Sequence, residues 1–346
     1  QLVDKYFVGE YDKQEMMDQA LKGYIQGTGD QWSSYLTEEE YKAVMEKREG
    51  VYAGVGITIS TATDGSYYVI TAVTEDSPAQ KAGIQPLDLL VAVDGESAAE
   101  MSFDDLSDRV KGEPGSEVTL TILREGVQQK YTLQREEVQT PGVKAQMLEG
   151  NIGLIRIESF SKNVDQEFSQ KLQQLLDDGA QALVFDVRFN PGGFVDVLVN
   201  MLDELLPKGT VISITDKAGE STTYSSDEEC VKLPMAVLCN EYSISAAEFF
   251  AASLQEYGVA TVVGAHTLGK GYAQTMIPLT GGGALNLSTS RYYTAKGVSL
   301  AGVGITPDVE SSLGEDKLNR FYTLQPEEDD QLQKALEVLR QQMSEN

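Results

Sequence analysis

The run ALVFDVRFNPGG, at residues 182–193, contains a strand and the turn that follows it. Its first part is almost continuously apolar, which is typical of a strand that is buried on both faces of a parallel sheet. Val195, Leu198 and Leu202 follow at the spacing of a helix, which Pro207 ends. The run therefore predicts one strand–turn–helix unit of an α/β sheet.

The same alternation recurs on both sides of this unit. The segments that predict further strands are NIGLIRIES (151–159), MAVLC (235–239) and VATVVG (259–264). The segments that predict amphipathic helices are residues 165–178, 245–257 and 326–342. We therefore expect a core built on a largely parallel sheet with crossover helices.

Residues 51–137 follow a different pattern. Short β-branched runs are separated by Gly, Asp and Pro, and two short helices open at Ser77 and Ser102. The runs are GVGITIS, YYVITAV, LDLLVAVDGE and SEVTLTILREG. Strands this short and closely spaced predict a small, partly open β-barrel rather than a part of one large sheet.

The first 50 residues predict an acidic helical arm. Asp12 has the position of an N-cap, and Thr37 begins a TEEE capping box. Such an arm is too small to form a core of its own, so we expect it to pack on another domain or on a second subunit. The predicted domains are an arm (1–50), a barrel (51–137), an α/β core (138–322) and a C-terminal helix (323–346).

Composition excludes several classes of partner. The 346 residues include 54 acidic and 27 basic side chains, a net charge of −27, which argues against binding to nucleic acid or to anionic lipid. No apolar run approaches the roughly 18–20 residues of a membrane span. The chain begins at Gln1, and we expect that any export signal or membrane anchor has been removed.

Cysteine and histidine are scarce. Two cysteines are too few for a disulfide scaffold; a Cys230–Cys239 bridge is one alternative, and a buried free thiol at Cys239 is the one we favour. The single histidine, His266, leaves little room for a metal cluster or for a histidine-based mechanism.

Three loops follow predicted strands and should meet at one edge of the sheet. They are NPGG (190–193), NEYSISAAE (240–248) and GAHTLGKGYAQ (264–274). Ser245 lies at the junction of a predicted strand and a predicted helix. Two roles fit this position: a nucleophile, or the helix cap of an S-x-x-E box with Glu248. The NPGG turn offers unobstructed N–H groups for an oxyanion, or is an ordinary turn.

A base for Ser245 has two candidates. Lys270 lies between two glycines in a mostly uncharged loop, where a desolvated amine could act as a neutral base; the alternative is a solvated lysine. Gln274, four residues later, could orient that amine or simply face water. His266 is the rival base, but it has no carboxylate nearby in sequence to orient it.

Together these motifs resemble the carboxyl-terminal processing peptidases, PDZ-containing serine proteases with a Ser–Lys catalytic pair. The resemblance covers roughly residues 35–310. It is carried by DVRFNPGG, SISAAEFFAASLQ, VVGAHTLGKGYAQ and GVGITPD, in this order and behind a PDZ-like segment.

The resemblance implies a role for individual residues. Ser245 would be the nucleophile, Lys270 the general base and Gln274 the residue that positions the lysine. The oxyanion hole would consist of the backbone N–H groups of Ala246 and Gly192, with Gly193 as a further candidate. The loop that receives a substrate carboxylate would be Gly54, Val55, Gly56 and Ile57, beside a groove between the GITIS strand and the helix at 103–111.

The resemblance also implies the wider function. It implies an endopeptidase without a metal or organic cofactor, acting outside the cytoplasm on protein or peptide substrates with free C-termini. The PDZ segment could activate or obstruct the site, and helical termini could form a homodimer. Two other classes stay open: a catalytically silent PDZ adaptor, and a related acyl-transfer or hydratase core, for which no nucleotide-binding motif is present.

Overall fold

The computed structural model describes residues 2–61, 68–139 and 141–345, except for the side chains of residues 47, 51, 319 and 323. The chain divides into two compact units, one made of residues 1–45 with 143–346 and the other of residues 46–142. Tyr67, the first residue of the predicted YYVITAV strand, lies outside the described residues.

Helices occur in both units. Over the described residues they are α1 (Leu2–Tyr6), α2 (Lys13–Gln26), α3 (Glu38–Glu49), α4 (Pro78–Lys81), α5 (Phe103–Val110), α6 (Val164–Asp177), α7 (Val195–Asp203), α8 (Ala246–Glu256), α9 (Glu315–Asn319) and α10 (Asp330–Glu345).

The strands of the first unit and of the second are numbered together in chain order. They are β1 (Ser34–Leu36), β2 (Val51–Gly54), β3 (Ile57–Thr61), β4 (Tyr68–Val73), β5 (Leu89–Val93), β6 (Glu96–Ser97), β7 (Glu117–Arg124), β8 (Val127–Gln134), β9 (Glu136–Gln139), β10 (Val143–Leu148), β11 (Ile152–Ile157), β12 (Ala182–Asp186), β13 (Gly209–Asp216), β14 (Ser221–Ser226), β15 (Met235–Cys239), β16 (Ala260–Gly264), β17 (Tyr272–Pro278), β18 (Ala284–Thr294) and β19 (Val309–Glu310).

The central sheet of the first unit has the order β10-β11-β12-β15-β16-β19. β10 is antiparallel to β11, and the other neighbours are parallel, which confirms the predicted α/β core. All five residues of β12 are buried. Leu183 and Phe185 share a core with α6, α7 and α8, whereas Ala182 and Val184 share a core with α10. Helices therefore cover both faces of the sheet, as the apolar run predicts.

Capping residues set the helix boundaries at several predicted places. The Asp12 carboxylate accepts the N–H groups of Gln14 and Glu15 at 2.7 and 2.9 Å. Thr37 and Glu40 form a reciprocal capping box, with bonds of 2.8 and 3.2 Å. These bonds pair N–H groups that a helix start would otherwise leave without an acceptor.

A second, antiparallel sheet completes the first unit and was not predicted. Its order is β1-β18-β13-β14, with β17 also paired to β18. β1 belongs to the N-terminal arm, and Ser34–Leu36 pairs with residues 284–286. Buried Tyr35 donates its hydroxyl to Asp18 Oδ1 at 2.8 Å, which ties α2 to this sheet. The arm is thus paired within its own unit of the same chain.

The C-terminal helix begins at Asp330, four residues later than predicted, because Pro326–Glu328 forms a 3₁₀ turn. The Asp329 carboxylate accepts the Leu332 N–H at 3.0 Å and caps the helix. Leu332, Leu336 and Leu339 pack on the central sheet. The apolar stripe of α10 is therefore covered within the chain, and it is no free surface for a second subunit.

The second unit is a sheet with the order β3-β4-β5-β7-β8, to which β6 adds on β5, together with the β2–β9 pair. Ser77 caps α4 and Ser102 caps α5, as predicted. Leu106 and Val110 of α5 enter the core of this unit. Within the described residues β3 is the last strand of its sheet, so one of its edges is not paired.

None of the described helices is long and apolar enough to span a bilayer.

Candidate active site

The three loops at the carboxyl ends of β12, β15 and β16 meet at one edge of the central sheet. The Ile244 N–H donates to Asn190 O at 2.9 Å, which joins the first loop to the second. A Cβ placed on Gly192 would lie only 2.9 Å from Ser245 Cβ. Parallel strand order therefore brings together NPGG, Ser245 and, as described below, Lys270.

Buried polar side chains hold the first two loops in place. Asn190, with no exposed surface, donates from Nδ2 to Ile157 O and accepts the Gly192 N–H at Oδ1, both at 2.8 Å. Ser243 donates to Val187 O at 2.8 Å and accepts the Asn240 N–H at 2.9 Å. These bonds satisfy buried groups that would otherwise destabilise the fold, and they fix the turn on which Ser245 lies.

Ser245 has a backbone conformation that a helix cap alone does not need. Its φ is +58° and its ψ is −117°, a region that side chains rarely adopt. The capping residues Asp12, Ser77 and Ser102 are instead extended, with φ of −86°, −75° and −68°. A sharp strand-to-helix turn of this kind presents a hydroxyl at the helix start, as in a nucleophile elbow.

Glu248 joins the serine loop to the lysine loop. Its carboxylate is completely buried, and Oε2 accepts both the Ser245 N–H at 2.9 Å and the Lys270 N–H at 2.8 Å. Oε1 accepts the Thr267 hydroxyl at 2.6 Å and the Gly269 N–H at 2.7 Å. Four donors thus compensate the buried charge, and one oxygen atom holds the backbones of Ser245 and Lys270 together.

The sequence predicts Glu248 only as part of a capping box, and its contacts with the lysine loop were not predicted. The signal was present, because Glu248 is the acidic residue of the otherwise apolar helix AAEFFAASL. A carboxylate in such a helix must find donors from other segments. Which segments supply them depends on the tertiary fold.

Lys270 and Gln274 are in contact. The lysine Nζ donates to Gln274 Oε1 at 2.7 Å, and both side chains are partly buried rather than fully solvated. The amine also lies 5.1 Å from the ring centroid of Trp32, which belongs to the N-terminal arm. The sequence analysis did not single out Trp32, although it is the one tryptophan among the 346 residues.

His266 forms its hydrogen bonds with a segment of the chain that lies outside the 264–274 loop. The ring is exposed, and its Nε2 lies 2.7 Å from Val303 O. Nδ1 lies 3.4 Å from the Thr306 hydroxyl. Both ring nitrogens therefore face partners on the segment before β19, and neither contact involves Ser245.

The NPGG turn has a defined donor geometry. Phe160 N–H donates to Gly192 O at 2.9 Å, and Phe194 N–H donates to Phe160 O at 2.7 Å, which forms a short parallel bridge to Gly193. In such a bridge the N–H of the central residue points away from the partner strand, so the Gly193 N–H points away from Phe160. The Gly192 N–H, by contrast, is already bonded to Asn190 Oδ1.

A buried ion-pair network lies beneath this turn. Arg188 contacts Asp186 and Asp329 through bonds of 2.7–2.9 Å, and Arg156 contacts Asp186 at 2.9 Å. Burial by itself would raise the pKa of Asp186. The charges of Arg188 and Arg156 outweigh this effect and lower the pKa to about 2. The network connects the end of β12 to the residue that caps α10.

Both cysteines are free thiols, and Cys239 is completely buried. Burial, with the Glu248 carboxylate nearby, raises the pKa of the Cys239 thiol to about 12. Cys239 is therefore not a thiolate nucleophile at neutral pH.

Residues 54–57, the predicted carboxylate-binding loop, are held by hydrogen bonds within the second unit, and the Gly56 backbone is hydrogen-bonded to the Tyr52 side chain. Val55 O accepts the Ala79 N–H, and Gly56 O accepts the Thr74 N–H, both at 2.9 Å. Because the C=O and N–H of one peptide unit point in opposite directions, the N–H groups of Gly56 and Ile57 point away from those partners. Gly56 has a φ of +81°, and a Cβ there would lie 2.1 Å from Ser77 Cβ, so the position requires glycine.

Within the described part of the chain, no group of three or more His, Cys, Asp or Glu side chains is arranged to hold a metal ion.

Family profiles match each unit separately. The profile described as Peptidase family S41 matches residues 151–311, and the one described as PDZ domain matches residues 69–124. The first match contains Ser245, Lys270 and Gln274, and the second lies within the unit of residues 46–142.

Curated relatives and solved structures agree with the profiles. The chain is 29% identical to the "Carboxy-terminal-processing protease" of Bartonella bacilliformis, over 95% of this chain and 84% of that protein. It is 31% identical to the "Probable CtpA-like serine protease" of Staphylococcus saprophyticus, over 89% of this chain but only 63% of that protein. The solved structure of the photosystem II D1 C-terminal processing protease aligns with 90% of this chain and 86% of its own, at 27% identity and a TM-score of 0.53.

Proposed function

The chain belongs to peptidase family S41, a family of serine-type proteases, and on that premise we propose that it is an endopeptidase with a Ser245–Lys270 acyl-enzyme mechanism. In this proposal Ser245 is the nucleophile, Lys270 the general base and Gln274 the residue that orients the amine. The PDZ unit binds the C-terminal tails of protein or peptide substrates. Neither a metal nor an organic cofactor takes part.

The proposed reaction has two balanced steps. Neutral Lys270 removes the proton of Ser245 Oγ while Oγ attacks the carbonyl carbon of the scissile bond, and the carbonyl electron pair moves to oxygen. Collapse of this oxyanion breaks the C–N bond, and lysinium gives its proton to the leaving amine. Water then attacks the acyl-enzyme in the same way, which releases a carboxylic acid and restores Ser245.

The oxyanion requires two donors near Ser245. Ala246 is the first residue of α8, and the N–H groups of a first helical turn have no partner within the helix. For the second donor we propose the Gly193 N–H, because the Gly192 N–H is bonded to Asn190 Oδ1 in this structure. Gly192 remains a donor only if that bond exchanges during the reaction.

One observation carries the proposal. Ser245, in a strained conformation at φ +58°, shares the carboxylate oxygen of Glu248 with the backbone of Lys270. A serine that only caps a helix would not need a positive φ. A lysine that only faces solvent would not need its N–H bonded to the same carboxylate oxygen as the Ser245 N–H. Retention of the serine, the lysine and Gln274 also counts against a silent PDZ adaptor, which would have no use for them.

The experiment is mass spectrometry of the products from an unstructured test protein. We expect cleavage by the wild-type chain and no cleavage by Ser245→Ala or Lys270→Ala. His266→Ala is the matched control from the same loop and should cleave like the wild type. Cleavage by Ser245→Ala, or normal cleavage by Lys270→Ala together with loss in His266→Ala, would contradict the proposed mechanism.

Tail recognition is the second part of the proposal. The Ile57 N–H points away from the neighbouring strand β4, and β3 has an edge, unpaired within the described residues, to which a peptide can add as a further strand. The Gly56 backbone is hydrogen-bonded to the Tyr52 side chain, which a bound carboxylate would replace as its partner. We expect a substrate with a free, apolar C-terminus to be cleaved faster than its C-terminally amidated counterpart. Equal rates for the two would reject carboxylate capture.

Gating by the PDZ unit has its own test. A short amidated substrate reports on the active site alone, and a non-cleavable peptide with a free apolar C-terminus occupies only the PDZ unit. If occupancy gates the site, adding this peptide changes turnover of the short substrate, whereas its amidated form does not. No change with either peptide would exclude gating.

Location and assembly complete the proposal. The family resemblance supports action outside the cytoplasm, in a periplasmic, cell-surface or secreted form. A homodimer would form through the N-terminal helix α2, where Met16, Met17 and Tyr24 are 42%, 54% and 78% exposed. Sedimentation equilibrium should give a dimer for the wild type and a weaker dimer for Met17→Glu; a monomeric wild type would contradict this part.

A further inference from the structure

We propose that Trp32 is a positioning residue for the Lys270 amine. This inference rests on the proposed function, in which Lys270 is the general base. It assigns the N-terminal arm a role at the active site, although Trp32 and Lys270 are far apart in the sequence. Three sets of contacts carry it.

First, the backbone of Trp32 is fixed by its neighbours. The Asp30 carboxylate accepts the Trp32 N–H at 3.2 Å and the Ser33 hydroxyl at 2.5 Å. The Ser33 oxygen accepts the Ser288 N–H at 3.0 Å, and β1 then pairs with β18. The indole is therefore attached to a paired strand rather than to a free arm.

Second, Trp32 determines which end of the Gln274 amide faces the lysine. Gln274 Nε2 donates to the Trp32 backbone carbonyl, and Oε1 accepts from Lys270 Nζ at 2.7 Å. The carbonyl has only acceptor character, so it excludes the reversed amide. A reversed amide would present an NH₂ group to the amine, and that group could bond only to the lone pair that the neutral base needs for the Ser245 proton.

Third, the indole ring faces the position where positive charge develops. Lys270 Nζ lies 5.1 Å from the ring centroid, within the range of a cation–π contact. When the amine takes the Ser245 proton it becomes an ammonium, which the ring face attracts more strongly than the neutral amine. The contact therefore stabilises the charged transition state more than the resting state, and this differential is what raises kcat.

The kinetic experiment compares Trp32→Leu, Trp32→Phe and Tyr6→Leu with the wild type on one peptide substrate. Leucine keeps apolar bulk without a π face, so we expect kcat to fall about 3- to 30-fold with little change in KM. Phenylalanine should restore most of kcat. Tyr6→Leu is the matched control, because it removes a lysine–ring contact of 5.0 Å to Lys5, remote in sequence from the catalytic loops, and should not change kcat.

A spectroscopic measurement keeps the inference testable if Trp32→Leu does not fold. Trp32 is the single tryptophan, so the indole emission of the chain reports on this site alone. Replacing the amine in Lys270→Met should change the emission intensity of the folded protein. Identical emission in wild type and Lys270→Met would overturn the contact.

The two levels of failure are distinguishable. Wild-type kcat in Trp32→Leu, together with an inactive Lys270→Ala, would overturn the role of Trp32 and leave the proposed function intact. Equal losses in Trp32→Leu and Trp32→Phe would overturn the role of the ring face. Normal kcat in Lys270→Ala would instead contradict the proposed function itself.

Discussion

Glu248 contributes to the site through backbone contacts rather than by touching a substrate. Its two oxygens accept four donors, from Ser245, Thr267, Gly269 and Lys270. In Glu248→Gln an NH₂ group replaces one carboxylate oxygen. This NH₂ group is itself a donor, so it cannot accept the hydrogen bonds that the oxygen accepts. We expect the free energy of unfolding to fall by about 2–4 kcal/mol, and kcat to fall about 100-fold as the two loops separate.

Urea unfolding and peptidase kinetics test the Glu248 prediction. Glu241→Gln, an exposed position in the loop before Ser245, is the matched control and should resemble the wild type. A Glu248→Gln variant that keeps wild-type kcat would show that the shared carboxylate does not position the loops.

Gly192 is tightly placed beside the proposed nucleophile. Its φ is +93°, and an added Cβ would lie 2.8 Å from Ile244 O and 3.1 Å from Ala246 N. Gly192→Ala must therefore displace the turn from Ser245, and we expect a loss in kcat of about 100-fold or more, as for removal of an oxyanion donor. Turnover of a short substrate measures it.

Gly219 is the control for Gly192, because it has a similar positive φ but no atom near its Cβ position. It separates the effect of backbone strain from the effect of displacing the turn. Gly219 has a φ of +88° with nothing near its Cβ position, so Gly219→Ala should cost about 1 kcal/mol of stability and leave kcat unchanged. Equal kcat losses in Gly192→Ala and Gly219→Ala would contradict a role for the turn.

At the level of single residues, the side chains that lie in recognisable motifs could be predicted from the sequence. Ser245, Lys270 and Gln274 lie in loops after predicted strands, and spacing alone left a structural alternative for each. Trp32 and the contacts of Glu248 with the lysine loop could not be predicted, because they depend on contacts between segments that are distant in the chain. Which of two glycines donates to the oxyanion also depends on a hydrogen bond, that of Asn190, which no pattern specifies.

Helix α10 is tied to the active-site edge by the Asp186–Arg188–Asp329 network. The pKa of Asp186 is about 2 in the folded chain, below its ordinary value of 3.8, so the ionised carboxylate stabilises the fold above about pH 4. This stabilisation disappears as the pH falls from about 4 to 2. We therefore expect Asp186→Asn to destabilise the chain strongly at pH 5 and less so near pH 2.

Urea unfolding at several pH values tests the sign of this effect. Asp196→Asn, at an exposed position on α7, is the control and should follow the wild type at every pH. A destabilisation by Asp186→Asn that is independent of pH would contradict the assignment of the charge to this network.

At the scale of elements, the periodic segments were predictable and the second sheet was not. The strands β11, β12, β15 and β16 are mostly apolar runs, and caps such as Asp12, Thr37 and Ser77 have local sequence signals. β13, β14 and β18 carry many Ser and Thr residues; β13 and β18 are mostly half-buried and β14 is mostly exposed, so their hydrophobic pattern is weak. Their pairing, like that of β1 with β18, is decided by tertiary contact.

At the scale of the whole molecule, one site draws on several distant segments. Trp32 comes from the arm, the NPGG turn from the loop after β12, Ser245 from the start of α8 and Lys270 from the loop after β16. The arm is expected to pack on another domain or on a second subunit, and it packs on the predicted core domain (138–322), to whose second sheet it contributes β1. The proposed dimer would use the exposed face of the N-terminal helices that this pairing leaves uncovered.

The most direct test is covalent labelling of Ser245 by a fluorophosphonate, followed over time by intact-mass spectrometry and located by peptide mapping. If Lys270 activates the Ser245 hydroxyl, the wild type gains one adduct on Ser245, and Lys270→Ala gains it at least about 100-fold more slowly. Labelling of Ser245 at equal rates in both proteins, or labelling of another serine in the wild type, would contradict the Ser245–Lys270 assignment.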